Sequence, residues 1–172
     1  MIRLPLLITV ALGFALGACG PGVAGGPTMN NKIGGGGPKD LDGAQSAVVS
    51  QDILDREPIA NTAQVKHILI SWKDLGEAFG GRQDQRAQKR GKTEAETEIK
   101  SLVGQLRAGG DFDALMKAHS EDLGSAVSGR PFTVTPDAQL VIEFRQLSLR
   151  LKVEEFGVVQ SDYGFHIIKR MQ

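Results

Sequence analysis

The 172-residue chain has a single cysteine, Cys19, so no intramolecular disulfide holds its fold. One cysteine and three histidines also give too few ligands, at poor spacing, for a structural zinc site, and no cofactor is expected. Neither sign of charge is in excess: Lys+Arg and Asp+Glu are 20 each. The chain therefore lacks the global field that draws a protein to nucleic acid. The longest apolar run, Leu4 to Leu16, is too short to cross a membrane as a helix.

That run has another use. Arg3 supplies a short positive segment before it, and small residues follow it, as in a signal peptide over residues 1–18. The sequence Leu16-Gly17-Ala18-Cys19 resembles a bacterial lipobox, which implies cleavage before Cys19 and lipidation of its thiol. Gly20 stands where an inner-membrane retention aspartate often stands, favouring the outer membrane. A lipid-anchored, periplasm-facing protein of the cell envelope is expected. Residues 19–43 are rich in Gly, Pro and Asn and are expected to form a flexible tether with a reach on the order of 25 Å.

The remaining apolar residues are patterned. Ala44 to Asp55 is read as a short helix carrying Val48, Val49, Ile53 and Leu54, within a lead-in over residues 44–63. Gln64 to Ser71 alternates as a strand: Val65, His67, Leu69 and Ser71 on one face, Lys66, Ile68 and Ile70 on the other. Trp72 to Lys92 is a polar insertion. Thr93-Glu94-Ala95-Glu96 reads as a capping box opening a helix buried through Ile99, Leu102, Val103 and Leu106, and Gly109-Gly110 ends it.

Asp111 is placed to cap a second helix with Phe112, Leu115 and Met116. Ser120 to Pro136 reads as loop with a short strand at Phe132 to Val134. Asp137 reads as the cap of a third helix through Leu147, with Leu140, Val141, Phe144 and Leu147 buried. Phe156 to Gln160 and Phe165 to Arg170 form a hairpin around Ser161-Asp162-Tyr163-Gly164. This order gives an α+β domain over 64–172, a small antiparallel-rich sheet flanked by helices.

Four stretches, in order, resemble the parvulin family of peptidyl-prolyl cis/trans isomerases. They are VKHILIS around His67, the run Gly109 to Leu115, the segment His119 to Ala126, and Tyr163-Gly164-Phe165-His166-Ile167-Ile168. The resemblance implies a parvulin-like fold and isomerase activity on proline-containing polypeptides. It implies that His67 and His166 are paired central histidines. It sets Asp122 where the family has a cysteine or an aspartate. Leu140 and Phe144 take the places of its proline-pocket Met and Phe, Ser161 that of a hydroxyl residue, and Phe165 points away as core.

The chain departs from the family at Gly129-Arg130-Pro131-Phe132-Thr133, where "GGDLG" is usual, and has one residue fewer between Val153 and Gly157. A non-catalytic chaperone or peptide-binding module is the alternative function. Arg82, Arg86 and Arg90, spaced by four, would make a basic stripe if helical; a solvated, charge-balanced face is favoured over phosphate reading. A monomer with no nucleic-acid partner is expected.

Overall fold

The computed structural model describes residues 45–172. The expected signal peptide, Cys19 and the expected tether lie outside the described residues. In chain order the elements are α1 (Gln51–Leu54), β1 (Ala63–Ile70), two 3₁₀ segments (Lys73–Phe79 and Ala87–Lys89), α2 (Lys92–Arg107), α3 (Phe112–His119), α4 (Leu123–Ser128), β2 (Phe132–Val134), α5 (Ile142–Ser148), β3 (Phe156–Ser161) and β4 (Gly164–Arg170).

The four strands form one sheet in the order β2-β1-β4-β3, antiparallel throughout. The expected α+β class is therefore observed. Strand alternation sorts the two faces. On one face Ile68, Ile70, Val158, Phe165 and Ile167 pack under Ile99, Leu102 and Leu106 of α2 and Phe112 and Met116 of α3. On the other, Val65, Val159 and Ile168 pack under Ile53 of α1 and Phe144 and Leu147 of α5. Phe165 lies on the first face as expected, fully buried against Trp72.

Two glycines permit this packing. Gly164 has φ +132, and a Cβ there would meet the Ile70 carbonyl oxygen at 2.5 Å. A Cβ on Gly157 would meet Ile53 Cδ1 at 3.0 Å and Leu147 Cδ1 at 3.2 Å, so α1 and α5 reach the sheet only over a bare backbone.

Several boundaries differ from expectation. The first helix shrinks to Gln51–Leu54 because its upstream polar residues bond elsewhere. Ser46 Oγ donates to Glu96 Oε1 at 2.6 Å, and Ser50 exchanges bonds with the β3 edge at Val158. Helix α2 begins at Lys92 with Gly91 as its cap; Glu94, not Glu96, reaches back to the cap amide, at 2.6 Å. The stretch expected as loop after Ser120 contains α4, opened by Asp122, whose carboxylate accepts from the Ser125 amide. Helix α5 begins at Ile142, and Asp137 instead closes a turn with Thr135 at 2.7 Å. Asp111 does cap α3, accepting from the Ala114 amide at 2.7 Å.

The turn before Gly157 is tight. Glu154 takes a left-handed backbone with φ 67, the only non-glycine among the described residues to do so. Its amide donates to the Arg170 carbonyl at 2.8 Å, and its carboxylate pairs with Lys169. The tight turn into β3 is thus closed at the expense of strain on the order of 1–2 kcal/mol.

Candidate functional site

His67 and His166 come together through sheet register. Leu69 faces His166 across β1 and β4, and His67 faces Ile168, so the two histidines are diagonal neighbours on the α5 face. Their Nδ1 atoms are 3.3 Å apart. Both residues are fully buried.

The pair is the middle of a longer row. His67 Nε2 lies 3.0 Å from Asp122 Oδ2 and 3.4 Å from Ser125 Oγ. His166 Nε2 lies 2.7 Å from Ser161 Oγ, which accepts from the Tyr163 amide at 3.1 Å. The row Asp122–His67–His166–Ser161 thus spans β1, β4, the end of β3 and the start of α4.

Its proton positions follow from one end. Asp122 is held ionised. Burial pushes its carboxyl up, but the His67 hydrogen bond and charge and the Ser125 hydroxyl and amide outweigh this and bring it down to about 2. A carboxylate only accepts, so His67 Nε2 carries a proton and donates. The His67 Nδ1 atom shares a single hydrogen bond with His166 Nδ1 across the 3.3 Å between them. His166 stays neutral, because burial and the neighbouring His67 charge hold it well below the usual histidine range against the pull of Asp122. Its Nε2 shares a hydrogen bond with the Ser161 hydroxyl at 2.7 Å. One fixed acceptor sets the proton on His67 Nε2, and the bonds beyond it run on from there.

Aromatic rings close the row on its apolar side. Phe144 meets His67 edge-on at 5.3 Å and His166 at 5.7 Å. Phe132 meets His67 edge-on at 5.4 Å and Phe144 at 6.0 Å. Phe144 is fully buried, while Phe132 is half-exposed. Leu140 is half-buried and packs against the same cluster. It precedes α5, so it does not share a helical face with Phe144 as expected; it approaches from the loop instead. The arrangement offers a dry apolar wall next to a few oriented donors.

Three residues of this region escaped the sequence reading. Ser125 touches both Asp122 and His67, and the Asp-x-x-Ser spacing of a capped helix start is the signal that would have found it. Phe132 reaches the site because β2 pairs it with Val65, on the face that carries His67. Glu121 is buried beside Asp122; burial pushes its carboxyl up to about 7, against the pull of the Ser71 amide and Arg90.

The stripe that a helix would have made does not form, because residues 82–90 are not a regular helix. The favoured solvated face holds for exposed Arg82 and for Arg86, which pairs with Asp84, but Arg90 turns inward onto Glu98 and Glu121. A cavity of about 210 Å³ lies elsewhere, on the outer side of α5. Its arginines are already engaged: Arg145 bonds the Pro136 carbonyl, and Arg150 the carbonyls of Arg56 and Gln146. Among the described residues no cluster of three metal-ligating side chains occurs, and no helix is long and apolar enough to cross a membrane.

Known proteins share this layout. Residues 51–172 match the family model of the PPIC-type PPIase domain. A foldase protein PrsA of Geobacillus kaustophilus is 30% identical over 122 residues, which are 70% of this chain and 43% of that protein. A periplasmic chaperone PpiD of Escherichia coli is 36% identical over 77 residues, 45% of this chain and 12% of that protein. The chain thus spans less than half the length of either relative. The solved peptidyl-prolyl isomerase ESS1 from Candida albicans superposes with a TM-score of 0.53 at 17% identity, over 65% of this chain and 63% of that one, a likeness of fold.

Proposed function

Because the chain belongs to the family of PPIC-type peptidyl-prolyl cis/trans isomerase domains, we propose that it catalyses rotation about X-Pro bonds of exported polypeptides at the row Asp122–His67–His166–Ser161. The observation that carries this is the continuous hydrogen-bonded row lying against the Phe144 and Phe132 rings.

The chemistry asks little of such a site. Amide resonance sets a barrier of about 18–20 kcal/mol. No bond to the substrate has to form. In the twisted imide the nitrogen lone pair is released from resonance and the carbonyl loses its single-bonded charge separation. A site that holds the ring in a dry wall and excludes water from the carbonyl favours that state. Phe144, Phe132 and Leu140 supply the wall. The histidine row satisfies its own buried ring nitrogens and holds Asp122 and Ser161 in fixed positions at its two ends. In this reading His67, Asp122 and His166 are the catalytic set, and Leu140, Phe144 and Ser161 contact substrate.

A second reading, peptide binding without catalysis, is favoured by the burial of the row. His67, His166 and Phe144 are each 0% exposed, and α4 carries exposed Leu123 and Val127 beside them. Exchange spectroscopy on a set of X-Pro tetrapeptides separates the two. Faster cis/trans exchange with the full chain is expected. Peptide binding with unchanged exchange leaves only the second reading.

The reading also makes the protein lipid-anchored at Cys19, facing the periplasm, with residues 19–43 as tether before the domain at 64–172. Its support is the placement of Leu16-Gly17-Ala18-Cys19 after the apolar run and the periplasmic chaperone among the relatives. Incorporation of a labelled fatty acid in cells, lost in Cys19→Ser, is expected; equal labelling of both forms rejects the anchor.

A further inference from the structure

The segment between β1 and α2 carries five basic residues that the site does not use: Lys73, Arg82, Arg86, Lys89 and Arg90. Two of them point at the stretch that delivers Asp122. That stretch occupies an open sheet edge. Strand β2 pairs only with Ala63 to Val65, leaving the rest of this β1 edge without a strand. There Leu69 N–H donates to Ser120 Oγ at 3.1 Å, Glu121 N–H donates to the Leu69 carbonyl at 2.9 Å, and Ser71 N–H donates to Glu121 Oε2 at 2.7 Å. Ser120 and Glu121 thus stand in for a strand. Asp122, next in the chain, turns back to His67.

Three bonds to one edge, two of them through the Ser120 and Glu121 side chains, lack the continuous ladder that holds a paired strand. The two arginines add a second set of contacts from the opposite side. Arg86 is gripped by Asp84 through Nε and Nη2, each at 3.1 Å. It donates to the Ala118 carbonyl at 3.1 Å and to the Ser120 carbonyl at 3.0 Å. Arg90 is split between Glu98 Oε2, at 2.7 Å, and Glu121 Oε1. Its side chain is 11% exposed and that of Glu121 1%. Glu98 is fixed in turn by His119 Nδ1 at 3.2 Å.

We propose that Arg86 and Arg90 are positioning residues for Asp122: they clamp Ser120 and Glu121 to the edge of β1 and thereby hold the Asp122 carboxylate on His67. The proposal rests on the isomerase reading for its effect on rate, but not for its effect on the His67–Asp122 bond. It moves these two arginines from a merely solvated face to internal geometry. Arg90 needs its fork, because it meets carboxylates from two elements at once. Arg86 needs its planar donors, because it meets two carbonyls of one chain reversal.

The test uses the full chain with Arg90→Gln, Arg90→Lys and Arg86→Ala. The last is the safeguard for folding, since the Arg86 side chain is 43% exposed. Two readouts are taken: solvent exchange of the His67 Nε2 proton by nitrogen-15 NMR, and kcat and KM on peptides with neutral or glutamate residues before proline. In Arg90→Gln and Arg86→Ala the His67 proton is expected to exchange about tenfold faster and kcat to fall about tenfold, since small displacements of an oriented group are costly. KM should hold for both peptides, and Arg90→Lys should recover part of the loss. Unchanged His67 exchange in folded Arg86→Ala overturns the proposal. So does a KM that rises only for the glutamate peptide, which assigns the arginines to substrate reading. If the unaltered chain shows no isomerase activity, the function fails and the NMR arm still decides the clamp.

Discussion

The Nδ1 atoms of His67 and His166 face each other at 3.3 Å, so one shared proton joins β1 to β4 and fixes both rings. Every bond of the row then depends on the acceptor at its end.

That dependence makes Asp122→Asn informative. Three donors converge on the Asp122 carboxylate: His67 Nε2–H, the Ser125 hydroxyl and the Ser125 amide. An asparagine offers one acceptor oxygen and turns an NH₂ toward donors. Loss of about 1.5–3 kcal/mol of stability is expected, together with loss of the single His67 tautomer in nitrogen-15 spectra. A variant with unchanged tautomer and denaturation midpoint would remove Asp122 from control of the row.

The pH profile carries two opposing slopes. His166 is held well below its usual 6.5, so below that pH the unfolded chain binds a proton the folded one refuses, and stability falls on acidification. Glu121 is raised from 4.5 to about 7, so between these values the folded chain binds the extra proton, and stability falls as pH rises. Between pH 4.5 and 6.5 the two slopes oppose each other, and a profile flatter than either alone is expected by urea denaturation. In Glu121→Gln only the histidine slope remains, and stability should drop steadily toward acid over that window. Below pH 4.5 both proteins should lose stability, with Asp122 adding its share as pH falls from 3.8 toward 2. A Glu121→Gln profile as level as that of the unaltered chain would contradict the assignment.

Phe144 and Phe132 separate packing from binding. Phe144 is fully buried among His67, His166 and Phe132, so Phe144→Ala is expected to cost about 3–5 kcal/mol, and its loss of activity combines lost packing with the lost wall. Phe132 is half-exposed at the rim. Phe132→Ala is expected to spare the fold and raise KM for proline peptides about tenfold, the loss of part of a ring contact worth about 1.5–3 kcal/mol. Steady-state kinetics with a thermal melt on the same sample checks both.

The turn at Glu154 is testable by itself. Glu154→Gly relieves a left-handed backbone at a surface position and gives up only the exposed pair with Lys169. A gain of up to about 1 kcal/mol is expected by chemical denaturation. A loss would mean that the Lys169 pair outweighs the strain.

Much of this was legible in the residues. Strand periodicity put His67 on the face away from Lys66 and Ile68, and the hairpin put His166 on a strand, because side-chain direction in a strand depends only on counting by two. Asp111 announced its helix by residue type and position. The site histidines and Asp122 were readable as a set through family resemblance, though no local pattern joins residues so distant in the chain.

Long-range pairing decided the rest. The diagonal contact of His67 with His166 exists because β1 lies beside β4 in one register, and Phe132 reaches the site because β2 lies on the other edge of β1. Leu140 fell outside its expected helix because Val141, not Asp137, precedes the first turn. Arg82, Arg86 and Arg90 look like a stripe only if a helical period is assumed. Without one, the carboxylates of Glu121 and Glu98 drew Arg90 inward, and Arg86 paired with its neighbour Asp84. The sequence by itself determined which face each strand residue takes and which residues cap or punctuate, because those follow from bonds within a few positions. Only the tertiary structure decided which faces meet and which charges find each other, because those energies arise between segments that the chain order does not bring together.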